Sequence, residues 1–301
     1  MGLIANLIHD NCRQIDISSR ELLVEHSLEG FVASKKPGFA DDELKRQRQR
    51  NMLLCHEWEQ IRSEAGLDCL ALKGMALLGD VYEDFGQRQM SDIDILIREG
   101  DLESWRRYLE GLGYQLVRTR RWQANAFKWD FSRMSKQGEV VVELHTKLFY
   151  REKQINWWQY ADLENNRLRP EACLAHLIGH LGYQHSFLKL NWLLDIHLFL
   201  KKHYREIDTD VFFGLLDQLP IKRSAQAVTY LLSRYFGHTS YVYGQGVLPW
   251  HLLFTEDFLL APKKSFWRYQ MVKFFIKDSL PQAMRYNILW MWSRLRPQFS
   301  R

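Results

Sequence analysis

Between Met90 and Ile97 a period of two places Asp92 and Asp94 on one side of an extended segment and Ile93, Ile95 and Ile97 on the other. That pattern predicts a half-buried β-strand. Val140–His145 alternates as well, with Val141, Glu143 and His145 sharing a face. Around these two segments the periodicity predicts strands over Asp68–Leu72, Tyr114–Val117, Asn125–Met134 and Glu139–Leu148, the last two joined by a hairpin turn at Gln137-Gly138. Short helices are expected over Gly74–Tyr82 and Asp101–Gly111.

Helical periodicity dominates on both flanks. Ser18-Ser19-Arg20-Glu21 reads as a helix start, with Leu22, Leu23, Val24 and Leu28 as its apolar side. Lys35-Lys36-Pro37-Gly38 punctuates the chain. Asp41 or Asp42 then caps a long helix that ends at Gly66, with Leu44, Met52, Leu53, Cys55 and Trp58 as its apolar stripe. From Pro170 onward Glu171–His185, Leu190–Tyr204, Thr209–Leu219 and Arg223–Tyr235 read as helices, and the C-terminal region is read the same way, broken by Pro262, Pro281 and Pro297. The fold class is α+β, with a helical N-terminal segment (1–65), an α/β core (66–150) and a helical C-terminal domain with a basic-aromatic tail (151–301).

Composition narrows the class. The chain has 301 residues, 46% hydrophobic and 26% charged, as in an ordinary globular protein. No apolar run is long enough to cross a bilayer, and the first residues fit neither a secretory signal nor a myristoylation site. The four cysteines (Cys12, Cys55, Cys69, Cys173) are widely spaced and read as buried thiols. These features point to a cytoplasmic protein. The net charge of +5 is uneven: residues 261–301 carry nine Lys and Arg against one acid, Asp278. With Phe266, Trp267, Tyr269, Phe274, Phe275, Trp290 and Trp292 among those cations, the tail suits an anionic partner: RNA or a membrane surface met peripherally. The plainer alternative is aromatic core with a solvated basic rim.

Candidate chemistry centres on the carboxylates. Asp92 and Asp94 on one strand face are costly unless a cation compensates them, and hard oxygen ligands favour Mg²⁺ completed by phosphates. Glu143, from another strand, is the natural third ligand or a general base, and His145 can orient it or contact phosphate. Two acids on a solvated strand face is the plain alternative. Lys73-Gly74 at a strand-to-helix turn admits phosphate to backbone N–H groups, with Lys73 adding a point charge. Arg88, in the loop before the acidic strand, can reach a phosphate or pair with the acids. His176 and His180 lie four apart on one helix face, without the Glu of the HExxH zinc motif.

Leu-Lys73-Gly74, Arg88-x-x-Ser91-Asp92-Ile-Asp94 and Val-Val-Val-Glu143-Leu-His145, in this order, resemble the uncharacterised nucleotidyltransferase family of bacteria, in the polymerase-β-like nucleotidyltransferase superfamily. The resemblance covers about Glu43 to Asp195. It implies a mixed β-sheet flanked by helices and a divalent ion, Mg²⁺ or Mn²⁺, held by Asp92, Asp94 and Glu143. It implies nucleotide contacts at Lys73, Gly74, Arg88 and Ser91, and a cleft bordered by His145, His180, His185 and Asp195; the plain alternatives are a hydrogen-bonded core or edge position for His145 and a buried His–Asp hydrogen-bond network holding the helices for the others. Met75 stands where relatives place a serine, leaving Lys73 or Arg88 to supply that phosphate contact. The implied reaction moves a nucleoside monophosphate from an NTP, in the first place ATP, to an undefined acceptor (small molecule, glycan precursor, peptide or RNA) with loss of pyrophosphate. A non-catalytic module of the same fold, binding an anionic partner through residues 261–301, is the alternative.

Overall fold

The structure is a computed structural model and describes residues 3–8, 12–117, 128–149, 155–237, 249–279, 281, 283–285 and 287–288. The tail residues Trp290, Trp292, Arg294, Arg296, Pro297 and Arg301 lie outside them, as do residues 125–127 of one expected strand. Helices α1 (Leu3–Ile8), α2 (Arg20–Glu25) and α3 (Glu29–Lys35) precede the long α4 (Asp41–Glu64). Strand β1 (Cys69–Ala71), α5 (Lys73–Leu77), β2 (Ile93–Ile97), α6 (Leu102–Gly111), β3 (Gln115–Leu116), β4 (Lys128–Ser135) and β5 (Gly138–His145) follow. Two short strands, β6 (Ala161–Asp162) and β7 (Arg167–Leu168), lead into α7 (Pro170–Gly179), α8 (Leu190–His203), α9 (Thr209–Gln218) and α10 (Lys222–Phe236). Beyond these lie α11 (Trp250–Leu253), α12 (Glu256–Leu260) and α13 (Phe266–Phe275).

The sheet is mixed, in the order β3-β4-β5-β2-β1-β7-β6. β2 runs parallel to β5 at its centre, placing Asp94 beside Glu143. Alternation decides the faces: Ile93, Ile95 and Ile97 of β2 and Val140, Val142 and Leu144 of β5 are fully buried in the core. Asp94, Glu143 and His145 take the other side. The β4–β5 turn is Lys136-Gln137, one residue earlier than expected, and Gly138 opens β5 at φ +125°, a conformation L side chains rarely adopt. Because β7 pairs with β1, the sheet continues past residue 150.

Helix α4 departs from its expected stripe. Met52 is 57% exposed, and the buried face is Glu43, Gln47, Asn51, Leu54, Glu57, Trp58 and Ile61. The helix docks through polar groups as well as apolar ones: Asn51 Nδ2 donates to the Phe85 and Arg88 carbonyls (2.5 and 2.6 Å). Glu57 accepts from Tyr114 (2.7 Å) and Arg133 (2.5 Å). Of the cysteines, Cys55 is only half-buried, and burial pushes the Cys55, Cys69 and Cys173 thiols up to about 11, 12 and 12, leaving them unreactive. In the tail, Lys273 and Lys277 are buried, so part of the basic excess is not surface charge. Lys277 Nζ lies 3.8 Å from the Tyr183 ring centroid and donates to the Tyr183 carbonyl. No helix among the described residues is long and apolar enough to cross a membrane.

Candidate active site

The C-terminal half of β5 and the start of β2 open into a cleft of about 340 Å³, walled on the far side by residues from the end of α7 to the start of α8. Lys73, Gly74, Arg88, Ser91, Asp92, Asp94, Lys128, Glu143, His180 and His185 all line it. A larger hollow of about 780 Å³ runs along α4 and meets the cleft at Gln89 and Met90. It holds Arg46 and Arg50 but none of the three candidate acids, which all line the smaller cleft.

One ligand atom from each of Asp94, Glu143 and His145 lies within 4.8 Å of the others, and these three could hold a metal ion. Asp92 is half-buried in the extended lead-in before β2, at the wall of the same cleft. Burial, then the charges of Asp94 and Glu143, push its carboxyl up to about 6. Three carboxylates gathered in one cleft are a concentration of negative charge, and a hard divalent cation suits such oxygen donors.

Two lysines partly answer that charge. Lys73 Nζ donates to Asp94 Oδ1 at 2.6 Å, and Lys128 Nζ lies 2.6 Å from Glu143 Oε2. His145 Nε2 sits 2.9 Å from Asp94 Oδ1 and 3.5 Å from Glu143 Oε2. Burial would raise the Asp94 carboxyl, but Lys73 and His145 outweigh it and hold it well below the usual range. Burial likewise opposes the Lys73 charge, while Asp94 and Glu143 prevail and raise its pKa. Lys73 occupies φ +47°, a costly conformation for a residue with a Cβ, at the junction of β1 and α5.

Gly74 serves a close approach. A Cβ there would meet Arg88 Nη1 at 2.2 Å and Met90 Cγ at 3.0 Å, so glycine admits the arginine to the cleft wall. Arg88 does not pair with the catalytic candidates. Its guanidinium forks onto Asp195, Nε to Oδ1 and Nη2 to Oδ2, both 2.9 Å, and Tyr82 donates to the same Oδ1 at 2.5 Å. Asp195 is therefore not a cleft-lining residue; it is 1% exposed and orients Arg88 from behind. Ser91 is exposed at the rim, its carbonyl held by Arg50 Nη2 at 2.9 Å.

His180 and His185 do border the cleft. α7 widens into a π-helical turn over His180–Gln184, and Ser186 and Phe187 then reverse the chain at φ +52° and +59°. Such turns and such backbone recur at functional sites. His180, His185 and Trp192 pack together with centroid separations of 4.5–4.8 Å. Burial, then the neighbouring His185 and Lys73, hold His180 well below its ordinary value, and burial brings His185 down to about 4. Both rings are neutral near pH 7. The His176 and His180 rings are 6.4 Å apart, and among the described residues neither joins a set of three metal ligands.

Lys128, Lys189, Asn191 and Trp192 are cleft residues that motif reading missed. Lys128 was within reach of it: the β4–β5 register sets Lys128 opposite His145 and Asp130 opposite Glu143. The others come from a helix start whose approach to the sheet no local pattern encodes.

A family model described as an uncharacterised nucleotidyltransferase matches residues 20–237. No curated protein and no solved structure matches the chain.

Proposed function

The chain belongs to this uncharacterised nucleotidyltransferase family, and on that premise we propose that it transfers a nucleoside monophosphate, AMP from ATP in the first instance, to a hydroxyl-bearing acceptor. The observation that supports this reading is the convergence of Asp92, Asp94 and Glu143 with Lys73 and Arg88 in one cleft.

In this reading Asp92, Asp94 and Glu143 would hold the divalent ion, Mg²⁺ or Mn²⁺, with His145 against Asp94. When bound, such an ion supplies neutralisation of the triphosphate and lowers the pKa of the acceptor hydroxyl. Lys73 and Arg88 bind phosphate oxygens and fix the α-phosphate for in-line attack. Phosphoryl chemistry asks for placement and charge stabilisation more than for a reactive side chain. The acceptor oxygen bonds to the α-phosphorus, the bond to the β-phosphate breaks, pyrophosphate leaves, and the hydroxyl proton is lost to the carboxylate cluster. Asp195 and Tyr82 act through Arg88, which cannot shed its charge and needs a rigid partner to keep its aim.

The test is incubation with ATP labelled on the α-phosphate, a divalent ion and pooled candidate acceptors. Transfer of label with release of pyrophosphate is expected, and Asp94→Asn abolishes it. Release of the γ-phosphate alone would replace this reading with a hydrolase or kinase.

A second reading, contact with an anionic surface, is favoured by one patch. Phe266 and Trp267 are 57% and 79% exposed beside exposed Lys263 and Lys264. Binding to anionic vesicles that is lost in Trp267→Glu would establish that contact as a second property.

A further inference from the structure

The cleft has two halves of different chemistry. The charged half holds the acids with Lys73, Arg88 and Lys128; the other half, made by the π-helical turn and the start of α8, holds His180, His185, Asn191 and Trp192, with one cation, Lys189, whose Nζ donates to Ser27 Oγ at 2.8 Å. Apart from Lys189, this second half offers neutral aromatic surface. The His185 and Trp192 rings are 4.5 Å apart, and both residues are partly exposed into the cleft.

Asn191 gives this surface direction. It is 5% exposed, it lines the cleft, and its Oδ1 has no hydrogen-bond partner among the described residues. A buried amide oxygen left without a donor is costly, and native proteins rarely keep one without a use. The His185 and Trp192 rings share this half of the cleft with it and give a flat heterocycle a surface to stack on.

We propose that Asn191 and Trp192, with His185, form the base-recognition subsite of the donor nucleotide and that this subsite selects adenine. The inference rests on the nucleotidyltransferase reading above. Adenine presents an amine donor next to a ring-nitrogen acceptor, the complement of one side-chain amide, and Asn pairs with it bidentately. A purine also covers the aromatic surface more fully than a pyrimidine, and base–aromatic stacking is a substantial, sequence-tolerant contribution. Guanine offers two acceptors on its N7/O6 edge and leaves the Asn191 oxygen unpaired there. Sites built to hydrogen-bond a substrate group discriminate strongly against analogues that lack it.

The test is calorimetric binding of ATP, GTP, CTP, UTP and inorganic tripolyphosphate, each with Mg²⁺, to the full chain. Tripolyphosphate reports the charged half alone. Wild type is expected to prefer ATP by about tenfold or more over the other nucleotides. Asn191→Leu and Trp192→Ala should each weaken ATP about tenfold and leave tripolyphosphate within about twofold, while Trp192→Phe restores most of the loss. Asn191→Leu removes an amide whose oxygen is unpartnered, so it is expected to fold, and its thermal transition checks that. Tripolyphosphate binding with unaltered ATP affinity in both variants, or with no base preference in wild type, would overturn the subsite and leave the transferase reading standing. Loss of tripolyphosphate binding alongside ATP would make these residues structural and overturn the subsite. Failure of wild type to bind either ATP or tripolyphosphate would overturn both.

Discussion

Replacing Asp195 by asparagine strands the most buried cation in the cleft. Arg88 and Asp195 side chains are 7% and 2% exposed, joined by two charge-assisted hydrogen bonds of 2.9 Å. Asparagine keeps the shape but turns one acceptor into a donor facing Arg88 Nη2, and the guanidinium cannot deprotonate to escape. Breaking a buried pair from one side costs about 3–5 kcal/mol, mostly the penalty of the uncompensated charge. Removing both charges, in Arg88→Met/Asp195→Leu, eliminates that penalty and leaves chiefly the Tyr82 hydroxyl unpaired, at a cost of about 1–3 kcal/mol. Urea unfolding of wild type, Asp195→Asn, Arg88→Met, Asp195→Leu and the double variant should show the double variant at least as stable as Asp195→Asn, with a coupling of about 2 kcal/mol or more in the cycle of Arg88→Met with Asp195→Leu. The double variant should still fail to bind ATP, because Arg88 is gone from the cleft wall. A cost below about 1 kcal/mol for Asp195→Asn, or strict additivity in the double variant, would refute the idea that Asp195 exists to hold Arg88.

Two further outcomes follow from packing and protonation. Gly74→Ala places a Cβ 2.2 Å from Arg88 Nη1, so it should cost about 1–3 kcal/mol in urea unfolding, and much less in an Arg88→Met background. His176 is brought down to about 3, first by burial and then by Lys73. Its unfolded form takes a proton below about 6.5 while the folded form does not, so stability present above that pH is lost as pH falls toward 3. At pH 5 the loss from this one group is about 2 kcal/mol, and His176→Phe should recover about that much relative to wild type between pH 7.5 and pH 5.

Where the candidate site rests on a period of two, its geometry is legible in the sequence. The Asp92–Asp94 alternation and the Val140–His145 alternation placed Asp94, Glu143 and His145 on one face, and the parallel register made them neighbours. The helices from Pro170 to Phe236 also followed from their periodicity. Other parts follow from tertiary partners. Polar Asn51 and Glu57 belong to the buried face of α4 because the groups they meet are carbonyls, a tyrosine hydroxyl and an arginine, and a hydrophobic stripe cannot report that. Strands of two residues, such as β6 and β7, carry no period at all. Asp195 lies 107 residues from Arg88 in the chain, and only the packing of α8 against the loop before β2 joins them. Asn191 stands in the first turn of α8, where no local pattern marks it; only the packing of that helix leaves its oxygen buried and unpartnered at the cleft.

In the proposed function Asp92, Asp94 and Glu143 bind a nucleoside triphosphate through a divalent ion. Thermal unfolding of wild type and Asp94→Asn with ATP, with and without Mg²⁺ or Mn²⁺, tests it without knowledge of the acceptor. Stabilisation of wild type by about 2.7 kcal/mol is expected at ATP near 100 times its Kd, only with the metal present and not in Asp94→Asn. No stabilisation of the folded wild type by any NTP with either metal, or the same stabilisation in Asp94→Asn, would contradict it.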